Sequence, residues 1–189
     1  MTARHARSPH VRLRGHVRAL SALLALTASL TACDVGATVA PEPVIVHAAA
    51  AESPELATLR RVTARYHDVD AAIADGFILL HGCEVRPGEG AVGILYVHLG
   101  RYMDGMIDPA LPDGLLYAPT RSGKPKLTGV ELAIPKGMWS SAEPPQFLGV
   151  PFQEEDEFDA FGLHIWVWSH NPDGMFAQAH PRVECGGES

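Results

Sequence analysis

The sequence predicts an α+β fold, in which one N-terminal amphipathic helix packs on a curved antiparallel β-sheet or partial barrel. Apolar residues recur at three- or four-residue steps between residues 53 and 76, which is typical of a helix with one buried face. After residue 76, short apolar runs alternate with turn-rich breaks, and no further helical periodicity lies between them. Strands joined without crossover helices pair antiparallel, so we expect one antiparallel sheet.

The predicted helix has clear signals at both ends. Ser53 is a good N-cap and Pro54 a good first helical residue, while Glu55 places a negative charge in the first turn. Gly76 is a plausible C-terminal stop. The apolar face comprises Leu56, Leu59, Thr63, Tyr66, Val69 and Ile73.

Six apolar runs rich in β-forming residues follow the helix, separated by breaks rich in Gly and Pro. The predicted strands are 77–83, 91–98, 114–118, 126–134, 146–150 and 161–169.

The N-terminal region has the composition of a bacterial lipoprotein signal peptide. Five Arg and no acidic residue precede Cys33, and residues 19–30 form an apolar run too short to span a bilayer as a helix. The run ends in Leu30-Thr31-Ala32-Cys33, which resembles a lipobox. That resemblance implies cleavage before Cys33 and a lipid on its sulfur. The alternative is an ordinary signal peptide with a Cys there by chance.

These signals predict three segments. Residues 1–32 are the signal peptide, 33–51 the lipidated Cys and a flexible tether rich in Ala and Pro, and 52–189 a single α+β domain. After Cys33 the chain keeps ten of its 15 Lys and Arg and all 22 Asp and Glu, a formal charge of −12. So acidic a chain is a poor partner for nucleic acid or anionic lipid. We therefore expect attachment to the membrane through the lipid, in the bacterial cell envelope, facing the periplasm or the cell surface.

Two cysteines remain after Cys33, and in an exported protein they most simply pair. Cys83 and Cys185 are predicted to form a disulfide. The alternative is a pair of thiols used in metal or redox chemistry, which their isolation from any Cys-x-x-Cys pattern disfavours.

A second pattern lies near the C-terminus, in LHIWVWSHNPDGMF (163–176). Along a strand, His164, Trp166, Trp168 and His170 would share one face. Six positions span roughly 20 Å at ~3.3 Å per residue, so the two His cannot bind one metal ion. His164 either completes a site with other strands, with His81, His98, Glu84 or Glu131 as candidates, or is a core residue with a hydrogen-bond partner.

Glu131 is the most suggestive carboxylate, because it lies within the apolar strand KLTGVELAI. It either faces solvent or lines a cavity, where it would act as acid, base or ligand. A cavity containing His164, Trp166, Tyr96, His98 and Glu131 would suit a small polar or aromatic ligand, or one transition-metal ion.

Other patterns carry no chemistry. The acidic run 154–159 lacks EF-hand spacing and is interpreted as a solvated loop. The G-x-G-x-x-G match at 88–93 is not followed by a helix pattern. Motifs of serine hydrolases, P-loop enzymes and zinc proteases are absent from the sequence.

The motif Leu163-His164-x-Trp166-x-Trp168-x-x-Asn171-Pro172-x-Gly174-Met175-Phe176 resembles a family of uncharacterised exported bacterial proteins. The similarity extends over most of the mature domain, includes Cys83 and Cys185, and implies no established activity. One position departs from the pattern: Leu95 stands where the family often has a His. If that His and the residue matching His164 form a metal site, this chain lacks one ligand.

Three functions remain open on the sequence alone. The first is a binding module for a small ligand or metal ion. The second is a metal-dependent or acid–base enzyme using His164 and Glu131. The third is a structural envelope protein whose Trp face is simply core.

Overall fold

The computed structural model describes residues 53–186. The predicted signal peptide, Cys33 and the tether lie outside the described residues. Three α-helices, two 3₁₀ helices and eight strands make up the described part of the chain. In chain order they are α1 (Pro54–Thr63), a 3₁₀ helix (Ala64–His67), α2 (Val69–Ala74), β1 (Ile78–Arg86), β2 (Gly90–Val97), α3 (Leu99–Tyr102), β3 (Gly114–Ala118), β4 (Lys126–Pro135), a 3₁₀ helix (Lys136–Met138), β5 (Gln146–Phe147), β6 (Val150–Pro151), β7 (Gln153–Glu155) and β8 (Ala160–Ile165).

Six strands form one curled antiparallel sheet in the order β1-β2-β3-β4-β8-β7, and β5 and β6 pair separately. All the pairings within the large sheet are antiparallel. The predicted fold class is therefore confirmed. None of the described helices is long and apolar enough to cross a membrane.

The single predicted helix is instead three short segments. Ser53 caps α1 as expected, with its hydroxyl accepting from Leu56 N. At Asp68 the backbone is extended, and the side chain starts α2 by accepting from Asp70 N. This extended residue breaks the helical register, so Ile73 is not on the buried face and is half exposed.

The sheet has two unlike faces. The first, here called the helix face, packs against α1, the first 3₁₀ helix and α2 through the larger core cluster. Its fully buried side chains include Leu56, Leu59, Phe77, Leu115, Tyr117, Leu127, Leu132, Leu163 and Ile165.

The opposite face, here called the strap face, is partly covered by residues 175–185, the C-terminal strap. Trp166 Nε1 donates to the carbonyl of Ala177 at 2.7 Å, and His180 bridges to Ala91 in β2. A smaller core cluster fills the space beneath the strap, with Leu116, Trp166 and Val183 among its buried members.

The disulfide Cys83–Cys185 ties the end of the strap to β1, which confirms the predicted pair. Such a bond is compatible with an extracytoplasmic location, where disulfides persist.

The Trp and His pattern does not form one strand face. β8 ends at Ile165, and a tight turn follows in which Val167 N donates to Ile165 O. This turn ends the alternation of faces. Trp166 therefore packs on the strap face, whereas Trp168 donates to Thr63 Oγ1 of α1 on the other side. His170 is exposed. The predicted strand 161–169 is too long by four residues.

A turn also divides the predicted strand 146–150. Leu148 and Gly149 both have positive φ, 52° and 79°. Two consecutive residues in this region form a tight hairpin turn, so the segment becomes β5 and β6.

Candidate functional site

A cavity of about 230 Å³ lies on the strap face of the sheet. Its walls come from β1, β2, α3, β4, β7, β8 and the loops between them. Exposed side chains at its rim include Leu80, Leu99 and Phe158. The lining residues are Leu80, Leu95, Val97, Leu99, Tyr102, Asp113, Glu131, Ala133, Glu155, Phe158 and Ala160.

The strand register builds the cavity floor. Val97, Gly114, Glu131 and His164 are successive cross-strand partners on β2, β3, β4 and β8. Directly paired residues project on the same face of a sheet. Glu131 therefore lies between a glycine and a histidine, on the face away from the helices.

Two glycines leave the space that the Glu131 carboxylate occupies. A Cβ on Gly114 would lie 2.7 Å from Glu131 Oε2, and a Cβ on Gly162 would lie 3.2 Å from Glu131 Oε1. Both are closer than ordinary van der Waals contact. A larger residue at Gly114 would displace the carboxylate.

Glu131 is buried, with only 7% of its surface exposed. Its charged partner is His164, whose Nε2 lies 3.7 Å from Oε1, beyond hydrogen-bond range. Within the described residues, its side chain accepts no hydrogen bond. Glu131 is thus a buried carboxylate that is paired with His164 on one side and faces a cavity with acceptor capacity left unused on the other.

His164 stands behind Glu131 and is not part of the cavity wall. Its Nδ1 lies 2.7 Å from the carbonyl oxygen of Gln178, so Nδ1 must carry the proton and donate. In a neutral ring the other nitrogen would then turn a lone pair toward the Glu131 carboxylate. A proton on His164 Nε2 removes this repulsion between the lone pair and the carboxylate. Burial lowers the pKa of His164, but contact with Glu131 outweighs burial and the pKa is raised overall.

A second carboxyl group, Asp113, lies immediately before β3. Its Oδ2 accepts a hydrogen bond from Ala133 N at 2.9 Å, and only 2% of the residue is exposed. Burial raises the pKa of Asp113 to about 7, opposed by the Ala133 hydrogen bond and reinforced by the negative charge of Glu131. Asp113 therefore exchanges a proton near neutral pH.

Glu155 on β7 is the third carboxyl group in the wall. Burial raises its pKa; Glu131 and Glu84 add to this effect, while His164 and Arg86 oppose it. The guanidinium of Arg86 lies 3.7 Å from Glu155 and is shared with Glu84 at 3.3 Å.

Tyr102 stands on α3 in the same wall. Burial raises the pKa of its phenol, and the nearby carboxylates Glu131, Asp159 and Asp113 raise it further. The phenol therefore stays protonated and able to donate at neutral pH.

The cavity expected to hold five predicted residues contains one of them. Glu131 lines it, and His164 contacts Glu131 from behind. Trp166 lies beside His164 under the strap, with ring centroids 6.4 Å apart. Tyr96 and His98 lie on the helix face, where they pack edge-on against Tyr117 and Phe77. They are separated from Glu131 by the sheet itself, because alternate residues of β2 face opposite ways.

Sequence reasoning missed Asp113, Glu155 and Tyr102. Asp113 stands in a Pro-Asp-Gly turn signal, and Glu155 stands in the acidic run interpreted as a solvated loop. That interpretation is wrong for Glu155, which is mostly buried, and correct for its exposed neighbours Glu154 and Asp156. The sequence carries no signal for Glu155, because β7 is a strand of only three polar residues.

Within residues 53–186, no three His, Cys, Asp or Glu side chains are placed to hold a metal ion. His81 and Glu84, proposed from sequence as ligands, form a partly exposed pair at 3.5 Å on β1. Leu95 is part of the cavity wall. The wall is apolar at that position.

A wider cleft of about 340 Å³ lies between α2 and the β3–β4 turn. Its walls include His67, Asp68, Asp70 and Lys124, and all four side chains are exposed. Unlike the strap-face cavity, it contains no buried ionisable group among the described residues. The buried carboxyl groups therefore mark the smaller cavity as the candidate site.

Comparisons with family models, with curated proteins and with solved structures found no match to this chain. The chemistry of the cavity is therefore the basis for assigning a function.

Proposed function

We propose that this protein is a bacterial envelope lipoprotein whose strap-face cavity binds a small organic ligand. The observation that carries the proposal is the buried carboxylate of Glu131. Two glycines leave space for it, His164 pairs with it, and its free acceptor positions face the cavity. A buried carboxylate is costly unless it is paired and its remaining acceptors are hydrogen-bonded, and the pair with His164 leaves acceptor capacity of Glu131 unused on the cavity side. A group kept at that cost in a concave site is typical of ligand binding or catalysis.

The cellular setting rests on the sequence and the disulfide. The lipobox-like segment ending at Cys33 supports lipid anchoring, and Cys83–Cys185 supports an oxidising compartment. We place the chain with the uncharacterised exported bacterial proteins that share its C-terminal motif. Radiolabelled-lipid incorporation tests the anchor: Cys33→Ser should abolish labelling, whereas labelling that persists in this variant contradicts it.

Ligand binding is tested by screening small organic fragments against the full chain in detergent by ligand-observed NMR. Leu80 lies on the cavity rim with 39% of its surface exposed, so Leu80→Trp should fill the opening without disturbing the core. Leu79→Trp is the matched control, because Leu79 is the adjacent, exposed residue of β1 and does not line the cavity.

We expect fragments that bind the wild type and Leu79→Trp and fail to bind Leu80→Trp. Fragments that bind all three chains equally would place binding elsewhere. A screen without binders would contradict the proposal and favour a structural envelope protein.

An acid–base enzyme is the second candidate. It is favoured by one observation: Asp113, whose pKa is raised to about 7, shares the cavity with Glu131. A carboxyl group with a pKa near neutral pH, such as Asp113, can act as a general acid or base there. Mass spectrometry of ligand recovered after incubation separates the two functions. A binding module returns the ligand unchanged, and an enzyme returns a product that Glu131→Gln no longer forms.

A further inference from the structure

We propose that the ligand of this cavity is a small organic cation, an amine carried on an apolar body. This inference rests on the proposed function and names the chemical class of its ligand.

The polar part of the cavity wall is acidic. Three carboxyl groups, Asp113, Glu131 and Glu155, reach it from three different segments of the chain. None of the lining residues is a Lys, Arg or His. Three basic side chains come near the wall. Arg86 divides its contacts between Glu155 and Glu84, His164 stands behind Glu131, and Arg101 donates to the carbonyl of Pro112 and lies over the ring of Phe77. A positive group entering the cavity therefore meets acceptors that the described residues leave partly uncompensated.

Glu131 supplies the strongest argument that the cavity binds a hydrogen-bond donor. Its side chain is 9% exposed, it accepts no hydrogen bond within the described residues, and the glycines at 114 and 162 hold the space for it. A protonated amine supplies up to three N–H donors and one positive charge. Charge-assisted hydrogen bonds of this kind are about twice as strong as neutral ones.

The rest of the wall is apolar. Side chains of Leu, Val, Ala and Phe supply most of the remaining surface, and Tyr102 adds a ring at the side. The volume of about 230 Å³ lies below the ~300–1,000 Å³ that drug-sized ligands occupy. The matching ligand is therefore a monoamine with a single ring or a short aliphatic chain.

The acidic wall also predicts how binding depends on pH. Burial raises the pKa of Asp113 and of Glu155, and a cation competes with the protons on these two groups, so its affinity rises as they ionise. Because the pKa of Asp113 is raised to about 7, its ionisation should raise the affinity between about pH 6 and 8. The charged and titratable groups around the three carboxyl groups are Glu84, Arg86, Tyr102, Asp104, Asp159 and His164.

Three pairs of matched probes test the class of ligand: benzylamine with benzyl alcohol, phenethylamine with phenylethanol, and cyclohexylmethylamine with cyclohexylmethanol. Each pair keeps the apolar body and replaces the charge by a hydroxyl group. Calorimetric titration of the full chain in detergent at pH 8 measures the affinities. We expect at least one amine to bind roughly tenfold or more tightly than its alcohol, as a charge-assisted bond implies.

Two variants locate the charge that the amine meets. Glu131→Gln should weaken amine binding roughly tenfold while changing alcohol binding little. Glu89→Gln is the control, because Glu89 is an exposed carboxylate in the β1–β2 turn and should leave both affinities unchanged. Asp113→Asn should abolish the rise in amine affinity between pH 6 and 8.

Equal affinities for amines and alcohols would overturn the cation while leaving a ligand-binding cavity intact. Amine binding that is indifferent to Glu131→Gln would overturn it as well, since the amine would then lie elsewhere. If no amine binds, the cation is wrong, and the fragment screen with Leu80→Trp still decides separately whether the cavity binds anything.

Discussion

Asp113 carries a stability cost that follows from its position. Its pKa rises from the ordinary 3.8 to about 7 in the folded chain, so the folded chain holds more protons than the unfolded chain between these values. Stability therefore falls as pH rises from about 4 to about 7. The loss is at most roughly 4 kcal/mol, since each unit corresponds to about 1.4 kcal/mol.

Asp113→Asn should remove that loss, because the amide oxygen still accepts from Ala133 N and carries no charge. We expect the variant to be more stable than the wild type at pH 8, by about 1–4 kcal/mol, and close to it at pH 4. Urea unfolding at the two pH values measures the difference. A variant that is less stable at pH 8 would mean that the charge of Asp113 is compensated in the folded chain.

His164 has a structural role that can be separated from the cavity. His164→Phe removes the hydrogen bond to Gln178 O and leaves Glu131 without its charged partner, so we expect a loss of about 3 kcal/mol. The exposed His170 provides a control, for which replacement by Phe should cost under ~0.5 kcal/mol. Equal effects of the two replacements, measured by urea unfolding at pH 7, would contradict the buried pair.

Some of the buried polar residues could be predicted from the sequence, and others could not. Glu131 and His164 stand out because a polar residue in an apolar strand is visible in the sequence. Asp113 and Glu155 do not, because their neighbours are polar and solvated. Their burial depends on which side of the sheet each chain segment meets, and that is a property of the folded chain.

Among the elements, β3 and β8 supply the space for the Glu131 side chain. Gly114→Ala would place a Cβ 2.7 Å from Oε2 and 2.8 Å from Cβ of Glu131. We expect destabilisation of about 1–3 kcal/mol from overpacking, together with loss of ligand binding. Gly82→Ala in β1 has open space within 4 Å and should change neither property. Thermal unfolding and the fragment titration measure both, and a fully stable, binding-competent Gly114→Ala would contradict the role given to this glycine.

The disulfide holds the strap over the sheet. It closes a loop with a sequence separation of 102, worth about 4–5 kcal/mol in the chain-entropy model. Replacing Cys83 and Cys185 by Ala should lower the free energy of unfolding by up to that amount. It should also speed hydrogen exchange at His180 N, which donates to Ala91 O. Reductant should reproduce the effect in the wild type and add nothing in the double variant; unchanged exchange would mean that the strap is held by its packing alone.

Element types were predictable where periodicity is strong, and element ends were not. The helical face was visible, but the break at Asp68 depends on a side-chain cap that competes with helix continuation. Likewise, β8 ends because the turn between Ile165 and Val167 interrupts its pairing with β4. The apolar run continues through Trp168, so the pattern of the sequence does not indicate this end.

Across the whole molecule, fold class and disulfide pairing were predictable from composition and spacing, while the contents of the cavity were not. Strict alternation of faces along KLTGVELAI predicts that Leu127 shares a face with Glu131. A register shift in the β3–β4 pairing, at Leu116 and Tyr117, instead turns Leu127 into the helix-face core. One such shift reassigns every side chain beyond it.

The two faces of the sheet are therefore covered differently. The helices pack on one face over the larger core cluster. The strap covers only part of the other, which leaves a cavity where three carboxyl groups are buried among apolar side chains.

Nitrogen-15 NMR of the full chain, titrated with the tightest-binding amine at pH 8, tests this cavity most directly. We predict that the largest shifts occur at the amides of Val97, Ala133 and Ala160, and that Leu80→Trp abolishes them. Shifts centred instead on His67 and Gly123 at the wider cleft, or an unchanged spectrum, would contradict the assignment of the strap-face cavity as the functional site.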